Sequence, residues 1–370
     1  MPFKEGFTFD DVLLIPQYSE ILPSEVETDS YFSKKISLKI PVVSSAMDTV
    51  TEEKMAIAMA LHGGLGVIHK NMTWQEQVAR VKKVKQTSYS LDKYPLATLC
   101  PKTKTLRVAA AIGVTDIEKE RARALCLEGL VDCLVVDTAH GHSAGVAEIV
   151  RFLKQEFPNQ QLVVGNIATA AAAEYLISLG VDGLKVGIGP GSICTTRIVA
   201  GIGVPQLTAL MEVAPICLKA KIPFIADGGV KISGDMTKAL ATGASCVMLG
   251  SLLAATEESP SKFITLSDGT KAKEYRGMGS LSAMERGSKE RYFQGEIKES
   301  KKLVPEGIEG AVIYKGEVGE VLHQLLGGLK AGMGYLGAKN LTELQQKAQF
   351  IKISSASLRE SLPHDLAVIY

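Results

Sequence analysis

Eight short, almost unbroken apolar runs punctuate the first two thirds of the chain: 41–45, 66–69, 108–112, 133–137, 162–166, 184–187, 223–227 and 246–250. Continuous rather than alternating hydrophobicity predicts strands buried on both faces, as in a parallel sheet. Between them apolar positions recur at helical spacing. The pattern predicts helices over 51–62, with Thr51 as N-cap and Glu53 close by, and over 73–85, 116–129, 143–157, 169–179, 206–220 and 233–242. Gly180 and Gly243 follow two of these segments as C-terminal signals.

Eight strand-then-helix units predict an α/β chain folded as a (β/α)8 barrel. A doubly wound open sheet is the competing architecture, but it places its glycine fingerprint after the first strand. Here the glycine-rich loop follows the sixth. Two stretches exceed a bare barrel. Residues 70–106 separate the second and third strands. Residues 255–313, rich in Gly, Ser and charge, follow the eighth, and a connection this long predicts a lid, a binding loop or disorder. Residues 316–349 read as helix with Gly-rich breaks at 327–328 and 332–337. The tail 350–370 is too short and polar for a domain of its own.

Composition narrows the class. The chain has 370 residues, 46% hydrophobic and 22% charged, with a formal net charge of +1. These values fit a globular protein with a large core and no dominant nucleic-acid surface. No apolar run is long enough for a membrane span, and the N-terminus lacks a secretory h-region, which predicts a cytoplasmic location. The six cysteines form no C-x-x-C pair, and His140 and His142 have no metal-ligand spacing.

The chemistry concentrates in residues 187–197, Gly-Ile-Gly-Pro-Gly-Ser-Ile-Cys-Thr-Thr-Arg. Glycines let the backbone approach a ligand closely, and a thiol among polar donors is placed like a nucleophile. An inert buried cysteine in a turn is the plainer reading. In a barrel the reacting groups sit at the C-terminal strand ends. Those ends carry Ser44 to Asp48, Asp137 to His142, Asn166, Asp227-Gly228-Gly229 and Gly250-Ser251. Turns after strands seven and eight are this fold's phosphate site. Ser192, Gly229, Gly250 and Ser251 are candidates to hold one phosphate, although each turn alone is ordinary. Asp227 would repel a phosphate but accept hydrogen bonds from ribose hydroxyls. A nucleoside monophosphate is the predicted ligand.

The chain resembles the inosine-5′-monophosphate dehydrogenase family. The resemblance rests on 189–197, Ala226 to Gly229, Met248 to Ser251, Tyr275 to Ser280, Arg291-Tyr292-Phe293, Pro305-Glu306-Gly307, Thr8 to Leu14 and Ser44 to Val50. It runs from residue 6 to about 366 and implies a single catalytic (β/α)8 TIM barrel over 1–370, with a mobile flap over 262–313 and a C-terminal tail.

It implies that Cys194 attacks C2 of inosine 5′-monophosphate (IMP), that hydride passes to NAD, and that water hydrolyses the resulting thioimidate to xanthosine 5′-monophosphate, a step of guanine nucleotide synthesis. Thr196 would lie beside the attacked carbon. Arg291 would be the base for water, with Tyr292 next to it. Without the resemblance, Arg291 and Tyr292 read as a solvated surface pair.

The implied substrate contacts are Ser45, Met47, Ser192, Asp227, Gly228, Gly229, Gly250, Ser251, Tyr275, Arg276, Gly277, Met278, Gly279 and Glu306. Asp137, Thr138, Gly187, Ile188 and Gly189 would face NAD, with His140 either along that groove or without a role. A potassium ion would take carbonyls of Gly189, Gly191 and Cys194, and of Glu360, Ser361 and Leu362 from a neighbouring subunit of a homotetramer. Relatives often carry a pair of CBS regulatory modules between strands two and three; here residues 86–92 form only a short bridge. Guanosine-5′-monophosphate reductase shares barrel and cysteine loop and is the rival reading; a nucleotide-binding regulator without turnover is the third.

Overall fold

The computed structural model describes residues 3–363. Eight parallel strands close into a barrel: β1 Val42–Ser44, β2 Leu65–Ile68, β3 Ala109–Ile112, β4 Cys133–Asp137, β5 Gln161–Ile167, β6 Gly183–Val186, β7 Phe224–Asp227 and β8 Cys246–Leu249. Each strand pairs in parallel with its sequence neighbour, and β8 closes on β1 through Val247↔Val42. The helices are α1 Glu53–Leu61, α2 Trp74–Lys85, α3 Asp116–Leu127, α4 Ala144–Glu156, α5 Ala170–Ser178, α6 Gln206–Ala220, α7 Ser233–Ala241 and α8 Val318–Tyr335. The (β/α)8 expectation is met at all eight strands.

Successive strand residues face opposite sides, so one set packs under the helices and the other fills the barrel. Val42, Ile68, Ala110, Ile112, Leu134, Val136, Leu184 and Val186 join the outer core. Val43, Val67, Ala109, Ala111, Val135, Val163, Ile225 and Met248 join the inner one. A hairpin of Ser30–Ser33 and Ile36–Leu38 adds Phe32, Ile36 and Leu38 to that inner core. Local signals place the helices well. At α2 the Thr73 hydroxyl accepts the Glu76 N–H at 3.2 Å and the Glu76 carboxylate accepts the Thr73 N–H at 2.9 Å, a reciprocal cap.

Three expectations need correction. Glu52, not Thr51, precedes α1; the Thr51 hydroxyl instead donates to the Ser45 carbonyl at 2.7 Å, bracing the end of β1. Gly327 and Gly328 do not interrupt the last barrel helix, because Gly328 sits against Ser233 of α7, where a Cβ would lie 2.1 Å from Oγ. Close helix packing demands glycine there without ending the helix. The stretch after β8 is ordered: Phe263–Thr265, Lys271–Arg276 and Glu309–Ile313 form an antiparallel three-stranded sheet. Between its last two strands lie a short helix, Leu281–Glu285, and 3₁₀ turns at Ser288–Tyr292 and Ser300–Lys302. The tail is also used. Phe350–Lys352 pairs antiparallel with Val12–Leu14, followed by a short helix, Ser355–Glu360. Residues 86–92 contain no helix or strand. Among the described residues no helix is long and apolar enough to cross a membrane.

Candidate active site

Strand parity decides what reaches the C-terminal mouth. Ser45, Asp137, Lys185 and Asp227 continue the inward-facing series of β1, β4, β6 and β7. At the end of β5 the register shifts between Gly165 and Ile167, and the Gly165–Asn166 peptide is cis. Asn166 joins the same group: its Nδ2 donates to the Gly187 carbonyl at 2.7 Å and to Asp227 at 2.8 Å.

Lys185 stands at the centre and is 2% exposed. Its ammonium lies 2.8 Å from Asp137 Oδ1 and 2.6 Å from Asp227 Oδ2, and also donates to Asn166 Oδ1. Sequence reasoning assigned Lys185 no role. The signal was a lysine inside an apolar strand, at the same inward parity as Asp137 and Asp227. Gln206, at the start of α6, was also missed; its Nε2 ties the Val186 and Asp227 carbonyls at 2.9 and 3.2 Å.

The glycine loop leaves β6 at Gly187, whose φ of +149° and position, with a Cβ only 2.1 Å from the Asp227 carbonyl, admit no side chain. Farther along, the Cys194 thiol donates to the Thr196 hydroxyl at 3.2 Å. Main-chain bonds lash this loop to the later part of the 262–313 segment. Thr195 N–H donates to the Glu306 carbonyl at 2.9 Å, and Ile308 N–H to the Ile193 carbonyl at 3.0 Å. Glu306 N–H reaches the Gly279 carbonyl at 3.0 Å, and Gly277 N–H the Ile308 carbonyl at 3.0 Å.

A cavity of about 150 Å³ lies over the mouth. Cys194 and Thr196 line it, with Ser45, Met47, Asp227 and Gly228 from the strand ends. Gly277, Met278, Gly279 and Glu306 form the flap-side wall. Asp137, Thr138, Gly187, Ile188, Gly189 and Gly191 form the opposite wall. A second cavity of about 170 Å³ is lined by Ser192, Gly229 and Ser251, with Thr8, Arg197 and Lys231. Gly191, Gly228, Gly250 and Tyr275 belong to both. The Ser45 hydroxyl is buried and has no hydrogen-bond partner among the described residues, an unmet polar group facing the space a ligand would fill.

Arg291 and Tyr292 are half-buried here rather than solvated. Arg291 forms an ion pair with Asp137 Oδ2, and its carbonyl accepts the Ala139 N–H at 3.2 Å. Burial disfavours charge on Asp137, but Arg291 and Lys185 overcome it and hold the carboxyl well below its ordinary range. Burial likewise opposes the Arg291 charge, but Asp137 and then Tyr292 hold its pKa above the usual value. Burial pushes the Tyr292 phenol up to about 12, with Arg291 pulling down and Cys194 pushing up. Tyr292 is therefore a protonated donor at neutral pH.

Other expected residues lie elsewhere. Arg276 is outside both cavities. Its guanidinium spans Asp48 at 3.0 and 2.6 Å and reaches Ser282 at 3.2 Å, pinning the flap sheet to the end of β1. His140 does not line either cavity; its ring tilts against His142, which packs on Tyr175. Glu360, Ser361 and Leu362 lie exposed at the end of the tail helix, which packs beside Phe9–Asp11. No group of three or more His, Cys, Asp or Glu among the described residues could hold a metal ion.

Residues 6–364 match the family described as "IMP dehydrogenase / GMP reductase domain". The inosine-5′-monophosphate dehydrogenase of Borreliella burgdorferi is 50% identical over 397 positions, covering 98% of each chain. That of Cryptosporidium parvum is 48% identical over 391 positions, covering 99% of this chain and 96% of its own. That of Aquifex aeolicus is 42% identical with the same coverage, but over 477 positions, so it carries sequence with no counterpart in these 370 residues. With a match of this length and identity over the barrel, the cysteine loop and the flap together, the chain belongs to the IMP dehydrogenase / GMP reductase family and is an oxidoreductase.

Proposed function

We propose that this chain oxidises IMP to xanthosine 5′-monophosphate with NAD through a covalent thioimidate on Cys194. One observation carries the reading. A thiol hydrogen-bonded to Thr196 lies on the same cavity as Arg291 and Tyr292, beside a second cavity of glycine and serine suited to a phosphate. With the phosphate against Ser192, Gly229, Gly250, Ser251 and Tyr275, and the ribose on Asp227, the purine lies toward Cys194. The Cys194 sulfur, as thiolate, bonds to C2, and the C2 hydrogen leaves with its electron pair. NAD, when bound along Asp137, Thr138 and Gly187 to Gly189, supplies the acceptor for that hydride. Water then adds at C2 and passes its proton to Arg291 once that side chain has left Asp137 and stands in its neutral form, and the C–S bond breaks to restore the thiolate.

The Asp137 wall supports the NAD assignment. Its acidic residue is exposed to the cavity and is held here by the flap's Arg291. About 150 Å³ is below the usual size of a ligand pocket, roughly 300 Å³ or more. A dinucleotide beside a nucleotide that already fills part of this space therefore requires the flap to withdraw, and flap and dinucleotide take turns at one place. The carbonyls of Gly189, Gly191 and Cys194 are hard neutral oxygens suited to potassium, completed by Glu360, Ser361 and Leu362 of a neighbouring subunit in a homotetramer. Six free cysteines suit the reducing cytoplasm.

The test is absorbance at 340 nm. IMP plus NAD with potassium yields NADH, and replacing potassium by lithium lowers the rate. Oxidation of NADPH with guanosine monophosphate, and no NADH from IMP, would assign the chain to the reductase branch instead. Turnover of neither pair would leave a nucleotide-binding regulator.

A further inference from the structure

We propose that Lys185 is the positioning residue that sets how firmly the Arg291 flap closes, by coupling the ribose carboxylate Asp227 to the flap carboxylate Asp137. Two cations share Asp137: Arg291 on Oδ2, and Lys185 at 2.8 Å from Oδ1. Two carboxylates share Lys185: Asp137, and Asp227 at 2.6 Å. The four groups form one chain, Asp227–Lys185–Asp137–Arg291, with alternating charge and net zero. It is buried enough for solvent to screen it weakly, with Lys185 and Asp137 side chains 2% and 8% exposed.

The sign of the coupling follows from Coulomb's law. Whatever draws the ammonium toward Asp227 frees Asp137 to hold Arg291. Whatever relieves Asp227 lets the ammonium settle on Asp137, where it competes with Arg291 and repels it. Ribose hydroxyls donating to Asp227 take over part of its demand, so nucleotide binding loosens the flap at a distance. Asn166 holds the centre of this arrangement by bonding both Lys185 and Asp227. The inference takes from the proposed function that the segment carrying Arg291 is a flap that opens and that Asp227 holds the ribose.

The test is hydrogen–deuterium exchange of residues 288–304 in the nucleotide-free protein, for parent, Asp227→Asn and Lys185→Met. Asp227 makes no hydrogen bond or ion pair with the flap among the described residues, although its charge also reaches Arg291 directly. Asp227→Asn should speed exchange there by on the order of tenfold, the range of typical site-to-site coupling, and much less on a Lys185→Met background, where only the direct attraction is lost. Lys185→Met should slow it, because Asp137 then belongs to Arg291 alone, and Lys185→Arg should restore the parent rate. A purely structural role would loosen the segment in both variants. Unchanged exchange in Asp227→Asn, or the same direction in both variants, overturns the proposal. If Lys185→Met does not fold, Lys185→Gln takes its place, alone and as the background for Asp227→Asn. Flap amides exchanging no faster than the barrel strands, in parent and Asp227→Asn alike, would sink the opening flap itself and the coupling with it.

Discussion

Arg291 reaches from the insertion after β8 to the end of β4, where its guanidinium pairs with Asp137 inside the cavity that Cys194 lines. A residue that reads in sequence as surface charge is thereby placed on the wall of the cavity that Cys194 lines. While paired, Arg291 is held protonated, so the contact closes the flap but opposes proton uptake. Arg291→Ala should leave hydride transfer intact and stall hydrolysis. The expected result is a burst of NADH equal to the enzyme present, then a steady rate lower by roughly 100-fold or more, the usual worth of a general base. Mass spectrometry of the stalled protein should show the nucleotide on Cys194. A lost burst would remove Arg291 from the hydrolytic step.

Gly279 supplies a second, purely steric handle. A Cβ there would lie 2.7 Å from Tyr292 Cζ and 3.0 Å from the Glu306 carbonyl carbon. Gly279→Ala must push Tyr292 out of its seat, while Cys194 and the second cavity stay as they are. The burst should persist and the steady rate fall by roughly tenfold, about what a single lost positioning contact of 1–2 kcal/mol costs. Rapid-mixing absorbance separates the two phases. An equal loss in both would mean that Tyr292 serves substrate binding rather than hydrolysis.

The second cavity predicts discrimination between nucleotide and nucleoside. Burial pushes the Tyr275 phenol well above its ordinary pKa, so its hydroxyl stays a donor. Tyr275→Phe should raise KM for IMP by roughly tenfold, the worth of one hydrogen bond to a charged group. Gly250→Ala, whose Cβ would lie 2.6 Å from the Tyr275 hydroxyl, should do the same. Inosine, which has no phosphate, should be turned over far more slowly than IMP, and at a rate that neither variant changes. Parallel losses with both substrates would mean the cavity does not hold phosphate.

These tests depend on contacts of unequal legibility. The barrel was readable because each strand is an apolar run bounded by turn residues, a local property. Cys194, Asp227 and the glycine turns were readable for the same reason. Lys185 was not, since its role exists only when the barrel brings the ends of β4, β6 and β7 together. Arg276 misled because its motif sits next to cavity residues in sequence, while its guanidinium turns back to Asp48. The sheet within the 255–313 insertion escaped notice because its strands are half exposed and charged, as in Lys271–Arg276, and the last two are paired across more than thirty residues.

Glu53 tests the scaffold independently of the chemistry. It opens α1 and is bound by Arg80 and, at 2.9 Å, by Lys83, both on α2. Burial works against its ionisation, but Lys83 and Arg80 prevail and bring its pKa from 4.5 down to about 2. A carboxylate depressed on folding stabilises the folded state above its unfolded pKa, and that contribution fades as pH falls to the folded value. Glu53→Gln should therefore cost on the order of 1 kcal/mol at pH 7, discounted for the solvent reaching Arg80 and Lys83. The gap from the parent should narrow between pH 4.5 and pH 2, where the parent's Glu53 also becomes neutral. Urea unfolding at pH 7 and pH 3 measures it. A gap of constant size at both values would mean that packing of the side chain, not its charge, joins α1 to α2.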